Sequence, residues 1–194
     1  MIELNKLAQE IHEAAVAKGF WAVDDAGEKH IVKMYSELAE AIQEDRCGNP
    51  MLYVDDFAID FDGKITDTAQ FEGRKPEGIA AELADFVMMA LDLMASIGIS
   101  AELDKLLGPV REAMRSEVYV LYNDTPLYRF VLLCIHALEK MNNPEDNADI
   151  LTSMQVMTHG VELWLEQRGI DLWQVIRLKM EYNRARPPLH GRKY

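Results

Sequence analysis

Glu37 and Glu40 stand three residues apart, and Glu82 and Asp85 repeat that spacing farther along the chain. Residues i and i+3 project from one face of a helix. Each pair falls among apolar residues, with Met34, Leu38 and Ile42 around the first and Ile79, Leu83 and Phe86 around the second. A face of that composition packs inward. Four carboxylates on the inner faces of two facing helices repel one another strongly unless cations lie between them. Hard oxygen donors of this kind suit Mg²⁺, with Mn²⁺ as a substitute. ExxE also occurs on solvated helix faces, where it is only charged surface. The repetition in two apolar segments, and neither pair alone, is what points to metal chemistry.

The elements that must carry these acids read as helices. Apolar residues recur at helical spacing, and β-branched alternation is scarce, so the fold class expected is all-α. Helices are predicted at about 2–18, 28–46, 76–97, 101–118, 126–141, 146–168 and 171–185. Pro76 fits the first turn of its helix, Gly98 and Gly169 fit C-terminal stops, and Pro187-Pro188 ends the last helix. The irregular part runs from Cys47 to Lys75, where MLYVDDFAID suits a short strand or an extended lid. At 194 residues the chain is long enough to bury a real core, and residues 1–194 are expected to form a single domain.

A weak internal repeat accompanies this pattern. At an offset of 99, Glu3-Leu4-Asn5-Lys6-Leu7 aligns with Glu102-Leu103-Asp104-Lys105-Leu106. Closing the long connection shifts the offset to 71, where Gly98-Ile99 meets Gly169-Ile170, Glu82 meets Ser153 and Asp85 meets Val156. The expectation is a duplicated four-helix unit. Its pseudo-repeats are 1–100, which binds metal, and 101–194, which lacks the ligands and ends in a basic segment.

Composition excludes several classes. A formal charge of −13 argues against nucleic acid as a partner. The longest apolar run, FVMMALDLMASIGI, is too short to span a membrane and contains Asp92. No signal-peptide pattern opens the chain, and Cys47 and Cys134 form no CxxC pair, so a cytoplasmic location is expected. His12, His30, His136 and His159 show no metal-ligand spacing, and no Glu-x-x-His of the di-iron bundles occurs. The end of the chain is basic. Arg177, Lys179, Arg184, Arg186, Arg192 and Lys193 face the single acid Glu181, which suits an anionic ligand or a tail lying on an acidic body.

Three stretches carry a resemblance: KGFW followed by EKHIVKMYSELAEAIQEDR, then KPEGIAAELADFVMMALDL, then KMEYNRARPPLHG. Together they resemble the MazG-like nucleoside triphosphate pyrophosphohydrolases of the all-α NTP pyrophosphatase superfamily. The resemblance implies a helical bundle of that type. It also implies Mg²⁺-dependent hydrolysis of (deoxy)nucleoside triphosphates to a monophosphate and pyrophosphate. By it Glu37, Glu40, Glu82 and Asp85 are the metal ligands, and Lys179, Asn183 and Arg186 contact the nucleotide's phosphates or sugar. Trp21 packs near the base, although a purely structural aromatic suits that position equally. The carboxylate that takes the water's proton stays open between Glu37 and Glu40. The chain departs from minimal members of the family by interposing several helices between Ser100 and Gln167. Those members build their sites by assembly, so a homodimer or higher homo-oligomer is expected. A catalytically silent helical scaffold and a phosphoribosyl-ATP pyrophosphohydrolase-like enzyme are the alternatives.

Overall fold

The computed structural model describes residues 3–22, 26–54, 57–58, 73–117, 125–144 and 147–191, and these are mostly helical. Helices α1 (Leu4–Ala17), α2 (Ala26–Cys47) and α3 (Ile79–Ser96) come first. They are followed by α4 (Leu103–Glu117), α5 (Leu127–Asn142), α6 (Asn147–Gln155), α7 (Val161–Glu166) and α8 (Leu172–Ala185). Two-residue strands β1 (Tyr53–Val54) and β2 (Phe57–Ala58) pair antiparallel, with Tyr53 opposite Ala58 and Val54 opposite Phe57. The remainder of the expected lid, 59–72, lies outside the described residues.

The centre of the molecule is α3. Its sequence is rich in Ala, Leu and Met, which lose little freedom in a helix, and it is apolar nearly all round. Leu83, Phe86, Val87, Ala90, Leu91 and Met94 are sealed from solvent, while α1, α2 and α8 pack around them. Glu82 and Asp92 are therefore carried into the core, while Asp85, on the same helix, keeps 25% of its side chain exposed.

The start of α3 is fixed by its neighbours. The expected helix began at Pro76, but the observed one begins at Ile79. The Glu77 backbone is taken up instead by a bridge to Tyr53, with N–H to carbonyl distances of 3.0 and 2.9 Å. Gly78 sits at φ 101°, and a Cβ there would lie 2.7 Å from the Pro50 carbonyl oxygen and 2.8 Å from that of Met51. Only glycine fits such a contact. The Ala80 amide donates to the Met51 carbonyl at 2.8 Å, so the segment before β1 clamps the first turn that presents Glu82.

The predicted helix 146–168 is interrupted. Between α6 and α7, Val156–Gly160 form one wide turn in which Thr158 Oγ1 donates to the Met154 carbonyl at 2.7 Å. Such single wide turns reorient the side chains that follow. Residues Asn5 and Asp104, paired by the offset of 99, cap each other's helices. The Leu4 and Asn5 amides donate to the Asp104 carboxylate at 2.8 and 3.1 Å, and the Asp104 amide donates to Asn5 Oδ1 at 2.8 Å. Among the described residues no single helix is long and apolar enough to cross a membrane.

Candidate active site

Helix α2 presents Glu37 and Glu40 toward α3, which presents Glu82. One carboxylate oxygen from each lies within 4.8 Å of the other two. Oxygens on opposite sides of one octahedral Mg²⁺ stand about 4.2 Å apart, so small side-chain rotations suffice to gather this set on an ion. Glu40 is exposed and accepts a hydrogen bond from Ser36 Oγ at 2.9 Å, whereas Glu82 is buried. Burial, reinforced by the charges of Asp85, Glu82 and Glu40, pushes Glu37 up to about 9. Burial likewise raises Glu82, opposed by Lys179 and aided by Asp85 and Glu40. The cluster holds more negative charge than its surroundings stabilise, which favours the protonated form of its buried carboxyls.

Asp85 lies one turn along α3 from Glu82, but its partner is a different one. Lys179 Nζ, on α8, stands 2.6 Å from Asp85 Oδ2. The lysine side chain is buried, with 3% of its surface exposed, and its ammonium also donates to the Pro76 carbonyl at 3.4 Å. Burial works against that charge, and the neighbouring acids Asp85, Glu82 and Glu37 outweigh it, so the Lys179 pKa is raised.

These groups border one cavity of about 590 Å³, a size typical of small-molecule sites. The four acids line it together with Lys179, Asn183 and Arg186, so these three residues share a cavity with the acids of their own chain. Arg186 Nη1 donates to Asn183 Oδ1 at 3.3 Å. The first and last motifs are clasped to each other. Lys18 Nζ donates to the carbonyls of Arg184 (3.0 Å) and Arg186, and the Leu189 amide donates to the Lys18 carbonyl at 2.9 Å. A lysine at the end of α1 thus satisfies carbonyls at the end of α8 that no helical partner reaches.

Trp21 is not among the residues that line the cavity. Its ring stacks on His30 with centroids 4.5 Å apart and meets His12 edge-on at 5.4 Å. Its indole Nε1 donates to Asp92 Oδ1 and Oδ2 at 3.0 and 3.1 Å. His12 Nδ1 and His30 Nε2 each stand 2.6 Å from the same carboxylate. Asp92, with His30, does border the cavity, which makes it a group of the site that residue spacing did not single out. The signal was present. Asp92 follows Asp85 by seven residues, two turns on along the same face, within an apolar run.

A second buried acid sits in the other half of the chain. Glu162 on α7 accepts from Arg111 through both nitrogens, with Nε at 2.9 Å, from Trp173 Nε1 at 2.8 Å, and from His159 Nδ1 at 3.2 Å. Burial alone raises its pKa, but the hydrogen bonds from His159, Arg111 and Trp173 prevail and hold it at about 2. Ser153, where the repeat places the counterpart of Glu82, is buried, and its Oγ has no hydrogen-bond partner among the described residues.

Comparisons of the chain with protein families, with curated proteins and with solved structures found no match.

Proposed function

We propose that this protein is a metal-dependent nucleoside triphosphate pyrophosphohydrolase that releases a nucleoside monophosphate and pyrophosphate. The observation that carries the proposal is the acidic cluster of Glu37, Glu40 and Glu82, gathered within 4.8 Å at a cavity shared with Lys179, Asn183 and Arg186. Carboxylates concentrated beside cationic side chains suit a ligand that brings both a metal ion and phosphates. A bound Mg²⁺ neutralises phosphate charge and lowers the pKa of its water.

The chain's own residues divide the remaining work. Glu37, Glu40 and Glu82, with Asp85 adjoining, are the groups that would hold the ion. Arg186, steadied by Asn183, and the Lys179 ammonium offer donors to phosphate oxygens. In the reaction the water oxygen bonds to the α-phosphorus atom and the bond to the bridging oxygen breaks. The electron pair leaves with pyrophosphate, and the water's proton passes to Glu37 or Glu40. Met88, Met89 and Phe20 also line the cavity, and their apolar surfaces suit the base and sugar.

The test is a panel of ribo- and deoxynucleoside triphosphates with Mg²⁺, followed by phosphorus NMR. Pyrophosphate and a monophosphate are expected for at least one nucleotide. Inorganic phosphate with a diphosphate would place cleavage at the wrong bond. No turnover of any nucleotide would favour a helical scaffold.

A further inference from the structure

Glu37, Glu40, Glu82 and Asp85 border the cavity together with the buried Lys179, and that lysine is not shared equally among them. Its ammonium is on Asp85 at 2.6 Å, while Glu37, Glu40 and Glu82 form the set within mutual reach. Nothing in helix geometry demands this split, because Asp85 follows Glu82 by one turn on the same face of α3. The split comes from α8, which drives a buried lysine between the two helices at Asp85. A buried ammonium without a carboxylate costs several kcal/mol, so the pair is mutually dependent.

We infer that Lys179 acts as a resident cation: it reserves Asp85, so that a first divalent ion is taken up by Glu37, Glu40 and Glu82 alone. Asp85 becomes a metal ligand only when phosphate oxygens offer the ammonium another partner. The inference rests on the metal-dependent function proposed above and adds an order of events to it. Lys179 therefore has two tasks. Before substrate arrives it offsets carboxylate repulsion that would otherwise loosen the packing of α2, α3 and α8. With substrate it moves to phosphate and releases the fourth acid. Substrate binding and completion of the ligand set become one event, which keeps a fully loaded metal site from forming without a phosphate ligand.

Mn²⁺ binding followed by calorimetry and electron paramagnetic resonance, with no nucleotide present, tests this directly. The wild-type chain should bind one Mn²⁺ tightly. Glu82→Gln should weaken that binding at least tenfold, and the double variant Asp85→Asn/Lys179→Met, which removes the acid together with its ammonium, should leave it within about twofold of wild type. Lys179→Met should strengthen Mn²⁺ binding about tenfold or more, since it frees a carboxylate and removes a positive charge. The same variant should melt at a lower temperature than wild type without metal and recover when Mn²⁺ is added. Inorganic pyrophosphate should raise the number of Mn²⁺ ions bound by wild type but not by Asp85→Asn. If Lys179→Met alone fails to fold, the double variant, in which no charge of the pair is left unpartnered, and Glu82→Gln still decide the matter. Equal weakening by the double variant and by Glu82→Gln would overturn the reserve role and leave the metal site standing. Absence of Mn²⁺ binding by the wild-type chain would remove the metal site itself, and the inference with it.

Discussion

Two acidic centres that each contain a buried carboxylate, Glu162 on α7 and the cluster between α2 and α3, behave in opposite ways. Glu162 is one carboxylate surrounded by donors: an arginine, a tryptophan and a histidine. The centre between α2 and α3 is four carboxylates with a single buried lysine. The first is held at about 2 by its hydrogen bonds despite burial. In the second, burial and neighbouring acids push Glu37 up to about 9. Burial is common to both, so burial does not separate a structural acid from a functional one. The balance of partners does. A carboxylate whose lone pairs are filled by its own protein is finished as structure, and a cluster short of positive charge suits the added cation that the proposed function calls for.

The comparison breaks most sharply in activity. Glu40→Ala or Glu82→Gln should lower kcat/KM for pyrophosphate release by a thousandfold or more, about 4 kcal/mol of transition-state stabilisation. Circular dichroism should remain that of the wild type, because removing one of several repelling charges offsets the lost contacts. Glu162→Gln should reverse the pattern, leaving turnover per folded molecule near wild type while lowering stability. If Glu162→Gln abolishes turnover in protein that is still folded, the two centres do not divide as described.

Next in size is the loss of the partner rather than the acid. Arg111→Met leaves Glu162 buried with its main cation gone and should cost about 3–5 kcal/mol in urea unfolding. Gly78→Ala should cost on the order of 3 kcal/mol, from the strained φ together with overlap against the Pro50 and Met51 carbonyls. Its loss should appear in both stability and turnover, because the same clamp positions Glu82.

The pH dependence sharpens the contrast further. Glu162 has a folded-state pKa depressed from 4.5 to about 2. Its contribution to stability is therefore fully present above pH 4.5 and is lost as pH falls toward 2. It amounts to about 3 kcal/mol over that window. Denaturant titrations of wild type and Glu162→Gln should converge as pH drops through this range. Curves that stay parallel would show that the depressed pKa is not stabilising the fold. The smallest effect is ligand stabilisation. Mg²⁺ at a hundred times its dissociation constant should add about 2.7 kcal/mol, a rise of several degrees in melting temperature. Glu82→Gln should lose that rise and Glu162→Gln should keep it.

Much of the fold was legible from periodicity, because a helix depends on residues three and four apart. The seven predicted helices correspond to the observed ones, with a shift at Ile79 and an interruption at Val156–Gly160. The first departure has a tertiary cause, and the second accompanies a local hydrogen bond from Thr158 to the Met154 carbonyl. The first turn of α3 gives way to the bridge between Glu77 and Tyr53, and the wide turn shifts the face on which His159 and Glu162 emerge. The candidate site was legible in part for the same reason. The i,i+3 spacing brought Glu37 beside Glu40 on one face and placed Glu82 on the facing one. Trp21 was legible only as a choice between packing and base contact, and in the structure its N–H is spent on Asp92.

What the sequence by itself determined is which side chains share a helix face and which faces are apolar, since those follow from local geometry and composition. The tertiary structure decided which charges meet. Lys179 reaches Asp85 rather than the other acids, Asp92 is enclosed by His12, His30 and Trp21, and Arg111 closes over Glu162. Each of these pairs joins helices far apart in the chain, and Coulomb energy at close range depends steeply on separations that only packing sets.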